Sequence, residues 1–166
     1  MSRVVCRLSN LPSKIPQTLV NELFAVNATA AIEYNDIEAG DTSDDENITI
    51  FNLGNVPINI TAYGYARTIG DNLSLMCGQN NENGNVTVGS QRHFSLSSHP
   101  FSQMTPLANA SNQSQILNLT ISQRTSDSGH TNDLNNSYWK LQLPIGVGGQ
   151  CNGTIILTAI AANLTE

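Results

Sequence analysis

Four residue types in this chain could carry chemistry: asparagine, histidine, cysteine and a short run of acids. Only asparagine occurs in a repeating pattern. N-x-S/T triplets begin at Asn27, Asn47, Asn59, Asn72, Asn85, Asn109, Asn112, Asn118, Asn135, Asn152 and Asn163. Random placement of the chain's Asn, Ser and Thr would supply roughly four such triplets, so the acceptor for N-linked glycosylation is strongly enriched. The chemistry this implies is covalent attachment of N-glycans, and with it an extracellular, cell-surface location.

The other candidates lack the spacing that chemistry needs. His93, His99 and His130 show no paired spacing of the kind that gathers metal ligands. Ser98 precedes His99, but a serine nucleophile needs its base in space, a third group and a glycine elbow, and the surrounding sequence offers none. Asp41, Asp44, Asp45 and Glu46 are hard oxygen ligands without the alternating spacing and central glycine of a calcium loop, so they read as a solvated acidic turn. Gly146, Gly148 and Gly149 precede neither a helix nor a lysine and read as a turn, not a phosphate cradle. The expectation is a protein that is not an enzyme and carries no metal or cofactor.

Cys6, Cys77 and Cys151 are too few and too scattered for a zinc site. In an oxidising compartment two of them should pair. Cys77 and Cys151 both end strand-like stretches and would close a loop of about 75 residues, a constraint worth roughly 4 kcal/mol. Cys6 is then left as a buried thiol or as a bond to a neighbouring chain.

The elements that must position these residues are strands. In a strand, residues i and i+2 share a face. A triplet with an apolar middle residue therefore describes a strand with its acceptor outward and its apolar residues in the core. Ile58 and Ile60 around Asn59 show the pattern, and Asn47, Asn72, Asn85 and Asn118 repeat it with Ile48 and Ile50, Leu73 and Leu75, Val86 and Val88, and Leu117 and Leu119. Periodicity predicts strands over Phe24–Tyr34, Glu46–Leu53, Ile58–Ala66, Asn72–Cys77, Asn85–Leu96, Gln115–Gln123, Tyr138–Leu143 and Thr154–Ala162. One short helix is expected over Pro16–Leu23. Turn residues stand at Gly40-Asp41, Gly54-Asn55, Asn80 to Gly84 and Gly146 to Gly149, and Pro100–Asn112 and Ser122–Asn136 read as polar loops. Ile155 to Ala162 is apolar on both faces, which predicts a strand covered twice, either by a layer drawn partly from another subunit or by a central place in the sandwich.

The chain has 166 residues, a size for one core. Charged residues are 12% and the net charge is −6, so nothing attracts a phosphate backbone and nucleic acid is not an expected partner. No apolar run is long enough to span a membrane, and the first residues lack a signal peptide's apolar stretch, which suggests a mature chain. The resulting expectation is all-β: an antiparallel sandwich of about eight strands over residues 24–166, preceded by an extended N-terminal arm over residues 1–23.

Two blocks carry a resemblance. Asn52-Leu53-Gly54-Asn55-Val56-Pro57-Ile58-Asn59-Ile60, after the acidic turn, resembles the N-x-G-N-V-P strand pair of secreted archaeal immunoglobulin-like domains. Tyr138-Trp139-Lys140-Leu141-Gln142-Leu143-Pro144-Ile145-Gly146-Val147, continuing through Gly149, Cys151, Gly153 and Thr154 to Ile155, is similar to the ending of such domains. The resemblance implies an immunoglobulin-like sandwich on an archaeal surface, and its cysteine supports the Cys77–Cys151 bridge. Domains of this kind occur in surface layers, adhesins and filaments, and bring no catalytic site with them.

The functional expectation is a structural, pilus-like filament subunit or surface-assembly subunit that binds copies of itself by β-strand addition. The arm residues Val4, Val5, Leu8 and Leu11 would pair with a neighbour's sheet edge, near the apolar last strand. The alternative is a monomeric adhesin or carbohydrate-binding module using Tyr63, Tyr65 and Trp139 as stacking faces, although Trp139 equally suits a sandwich core. A viral jelly-roll coat protein shares the strand count.

Overall fold

Period-two alternation is obeyed most strictly in Glu46–Asn52 and Ile58–Tyr65, and both form strands with the apolar face buried. A computed structural model of the chain describes residues 20–29, 31–78, 84–95, 97–110 and 115–162. Among these the strands are β1 (Val26–Ala28), β2 (Glu46–Asn52), β3 (Ile58–Tyr65), β4 (Leu73–Cys77), β5 (Asn85–Thr87), β6 (Gln91–Ser95), β7 (Thr105–Pro106), β8 (Ala108–Asn109), β9 (Gln115–Ile116), β10 (Leu134–Leu141), β11 (Cys151–Asn152) and β12 (Thr154–Ala161). The described residues contain no α-helix.

Strands β1-β2-β10-β6-β7 make one antiparallel sheet. β12 pairs antiparallel with β3 along its whole length, from Thr154 opposite Tyr65 to Ala161 opposite Ile58. The other side of β3 receives β8, which is parallel, and β9, which is antiparallel. A small third sheet has the order β11-β4-β5. Ile48, Ile50 and Trp139 of the five-stranded sheet share one core with Ile58, Ile60 and Ala62 of β3, and Leu117, Leu119 and Ile121 complete it. The protein is all-β with antiparallel sheets, and this sharing of one core between two sheets is consistent with a β-sandwich. A second cluster, built on Cys77, Val86, Leu141, Leu143 and Val147, lies under the small sheet, and Tyr34 packs against both.

Several boundaries differ from the sequence expectation, each because pairing overrode periodicity. The expected strand Phe24–Tyr34 is reduced to β1. Its continuation leaves the sheet edge so that Tyr34 can reach β6, where Gln91 Nε2 donates to its hydroxyl at 2.9 Å. Asn85–Leu96 is split by a 3-10 turn at Val88–Ser90, because β5 belongs to the small sheet and β6 to the large one. Of Gln115–Gln123 only β9 is a strand; Asn118 turns at φ 49° while Leu117 and Leu119 stay buried. β10 starts earlier than expected, at Leu134, since β2 offers partners from Trp139 down to Leu134. Buried Met104, Leu107 and Ala108 tie down the expected loop Pro100–Asn112, which contains β7 and β8. Of the expected helix, residues 20–23 are not helical and the rest lies outside the described residues.

The last strand is the largest correction. β12 is an edge strand covered on one side by β3, and none of its residues is buried. Its two apolar faces describe a strand that wants cover, not one that has it.

Candidate functional site

Cys77 and Cys151 form a disulfide, with Cα atoms 4.0 Å apart. They are directly opposite in the β4–β11 pair, so the bond staples neighbouring strands of the small sheet and does not cross between the two large sheets. Cys6 lies outside the described residues.

Of the sequon asparagines, Asn27, Asn47, Asn72, Asn118 and Asn152 are exposed, and Asn59, Asn85, Asn109 and Asn135 are half-buried. Asn112 and Asn163 lie outside the described residues. Asn47 shows the expected arrangement in full, with Ile48 and Ile50 buried beneath it. Around Asn59 the isoleucines are buried as expected, but Thr61 is buried as well, because strands flank β3 on both sides and Thr120 donates to Asn59 Oδ1 at 2.8 Å. Asn85 covers buried Val86, while Val88 has already left the strand. Asn72 breaks the pattern. It sits at φ 61°, and the β4–β5 register shifts between Leu73 and Leu75. Ser74 therefore turns inward to donate to the carbonyls of Val86 and Thr87, at 3.3 and 3.1 Å. Asn109 Nδ2 donates to Asn72 Oδ1 and couples two of the acceptors.

The histidines do not converge. His99 stacks on Phe94 with ring centroids 3.8 Å apart and faces Ser97, while Ser98 donates to Asp45. Asp45 also meets Lys140 Nζ at 3.4 Å. His130 Nδ1 lies 2.7 Å from Asp133 Oδ2. Desolvation opposes the charge on Asp133, but this hydrogen bond and the Thr131 N–H hold its carboxyl below the usual range. Among the described residues no three His, Cys, Asp or Glu side chains stand close enough to hold a metal ion.

His93 is buried opposite Trp139, with ring centroids 5.0 Å apart. Neither ring nitrogen has a hydrogen-bond partner among the described residues. Burial pushes its pKa from the ordinary 6.5 down to about 4. Between those values the unfolded chain binds a proton that the folded chain refuses, so stability should be lost as pH falls from about 6.5 to about 4. The full loss is roughly 3 kcal/mol. A series of urea midpoints against pH should show this slope in the native chain and lose it in His93→Leu. Trp139 is fully buried in the core, so of the expected stacking aromatics only Tyr63 and Tyr65, both half-buried on β3, reach the surface.

The feature that stands out is the outer side of β12. Among the described residues it pairs with β3 alone, and Ile155, Leu157 and Ala159 reach only part-way into the core. Beside it opens a groove of about 1140 Å³ whose opposite wall is Val26, Ala28, Ile32 and Tyr34. Burial pushes the Tyr34 phenol above its ordinary pKa, so the groove presents no charge from that side chain.

Sequence reasoning missed the device that anchors residues 21–25. Asn55 accepts from Leu23 N–H through Oδ1 at 2.7 Å, donates its own N–H to Leu23 O at 3.2 Å, and donates from Nδ2 to Asn21 O at 2.9 Å. A Cβ at Gly54 would lie 2.1 Å from Leu23 O, so only glycine lets the segment approach. The signal was present as the N-x-G-N turn, but its docking partner is more than thirty residues away. The expected arm residues Val4, Val5, Leu8 and Leu11 lie outside the described residues.

No protein-family model matches the chain, and no curated protein matches it. Among solved structures, a family 123 glycoside hydrolase from Clostridium perfringens, studied for hydrolysis of glycolipid glycans, aligns at 17% identity and a TM-score of 0.40. The alignment covers 77% of this chain and 19% of that one, so the chain spans about a fifth of the hydrolase's length.

Proposed function

We propose that the chain is a non-catalytic structural subunit of a glycosylated extracellular filament or comparable surface assembly, and that copies join by β-strand addition. The observation that carries this reading is β12: an apolar strand of eight residues with one open edge among the described residues. Such an edge templates pairing with another chain unless something completes it. Sequons on many strands, the resemblance to archaeal immunoglobulin-like surface domains and the disulfide all support an extracellular setting. A segment of one copy entering the edge of the next is a head-to-tail contact, which propagates instead of closing.

Deleting residues 1–15 should abolish polymers seen by electron microscopy of the native glycosylated material while leaving a folded monomer. Filaments of unchanged length and number after the deletion would overturn the reading.

A further inference from the structure

We infer that β12 is the acceptor edge, and that residues 4–11 of a second copy lie along it with Val4, Cys6 and Leu8 turned into the groove. This rests on the filament reading above and specifies its joint.

The backbone fixes which groups are on offer. Leu117 N–H donates to Ile60 O at 3.0 Å and Ile121 N–H to Ile58 O at 2.8 Å, so Ile58 and Ile60 turn their main-chain groups away from β12. Asn59, Thr61 and Tyr63 turn theirs toward it, and their partners are Ile160, Thr158 and Ile156. Ala162 N–H, in the same phase, donates to Pro57 O at 3.2 Å. The main-chain groups of Ile155, Leu157, Ala159 and Ala161 therefore point outward to the open side. The side chains of Ile155, Leu157 and Ala159 pack on the core cluster. A strand added here gains a ladder along its backbone and a groove for one face of its side chains.

Residues 4–11 have the matching pattern. Val4, Cys6, Leu8 and Asn10 fall on one face and Val5, Arg7, Ser9 and Leu11 on the other, so the first face is uncharged and apolar from Val4 to Leu8. A second copy is the donor this surface favours, because the chain leaves the fold through an exposed apolar patch. Residues 20–25 continue the line of β1 past the end of β2, held there by Asn55, at the end where Ala162 meets Pro57. Val20, Leu23, Phe24 and Leu53 are 70%, 55%, 41% and 39% exposed at this exit, an apolar patch that a neighbouring copy would cover. β12 itself carries no sequon asparagine, and those nearest to it along the groove are Asn27 on β1 and Asn152 on β11.

The test uses the native Cys6. Assembled full-length Ala159→Cys and Ala161→Cys chains, oxidised and run on a non-reducing gel, should give a covalent ladder of dimers and higher species. Thr158→Cys, whose side chain faces the other way, should give a several-fold weaker ladder. Adding Cys6→Ser to Ala159→Cys should remove the ladder. Filaments that form normally but give no link from Cys6 to either site would overturn the acceptor assignment and leave the filament reading standing. A link within one chain, or a ladder equally strong from Thr105→Cys on β7, would overturn it too. Native material that never polymerises removes both readings.

Discussion

Reduction of the Cys77–Cys151 bond, or replacement of both cysteines by alanine, should lower the stability of the domain by roughly 4 kcal/mol, measured by urea unfolding with and without reductant. The bond spans a sequence separation of 74 residues, and the chain-entropy model assigns most of its value to that loop in the unfolded state. Native contacts at the same place are slight by comparison. β11 has two residues, and each net hydrogen bond of its ladder is worth roughly 1 kcal/mol. The staple therefore outweighs the ladder it reinforces. Cys77 is fully buried in the second cluster, so its loss also opens a cavity. β11 runs through Gly153 directly into β12, and a Cβ at Gly153 would meet Ser74 O at 1.8 Å. Releasing the staple should loosen the start of the open edge as well, and polymerisation under reducing conditions should fall along with stability. A change below about 1 kcal/mol would mean that the packing of Cys77 and the β4–β11 pair already fix this corner without the bond.

The sequence is most legible where a strand's alternation is strict and its partner lies nearby in the fold, as in β2 and β3. It is least legible where pairing decides. Nothing in Phe24–Tyr34 says that the alternation will continue while the hydrogen bonding stops, because that depends on Tyr34 finding Gln91 on a distant strand. Nor does Asn85–Leu96 announce a change of sheet. The sequon residues can be read directly, but their exposure follows the period-two rule only on regular strands, and the bulge beside Leu73 inverts it at Ser74. The two apolar faces of Ile155–Ala162 have two physical causes, burial on both sides or an edge awaiting a partner, and periodicity cannot separate them.

Asn52 illustrates the same limit, and its replacement by alanine should cost about 3–5 kcal/mol, since each buried polar group left without a partner costs about 1–3. The sequence places it within the predicted strand Glu46–Leu53 and says nothing of what its side chain holds. In the fold it is fully buried, and its Nδ2 donates to the carbonyls of Val56, Ile121 and Ser122 at 2.8, 3.3 and 3.0 Å while its Oδ1 accepts from Gly54 N–H at 2.8 Å. One side chain thus closes the β2–β3 turn and fastens the segment after Leu119 to it. Asn52→Asp is the sharper experiment. It keeps the acceptor for Gly54 but turns a carboxylate toward three carbonyl oxygens, so it should be at least as damaging as Asn52→Ala at pH 7 and should recover partly when the carboxyl is protonated at lower pH. Because the same turn presents Gly54 and Asn55 to Leu23, either variant that still folds should show faster amide exchange at Leu23 and Asn55 than the native chain. Native-like protection at those amides together with a stability loss below about 1 kcal/mol would show that the turn is held by its backbone alone.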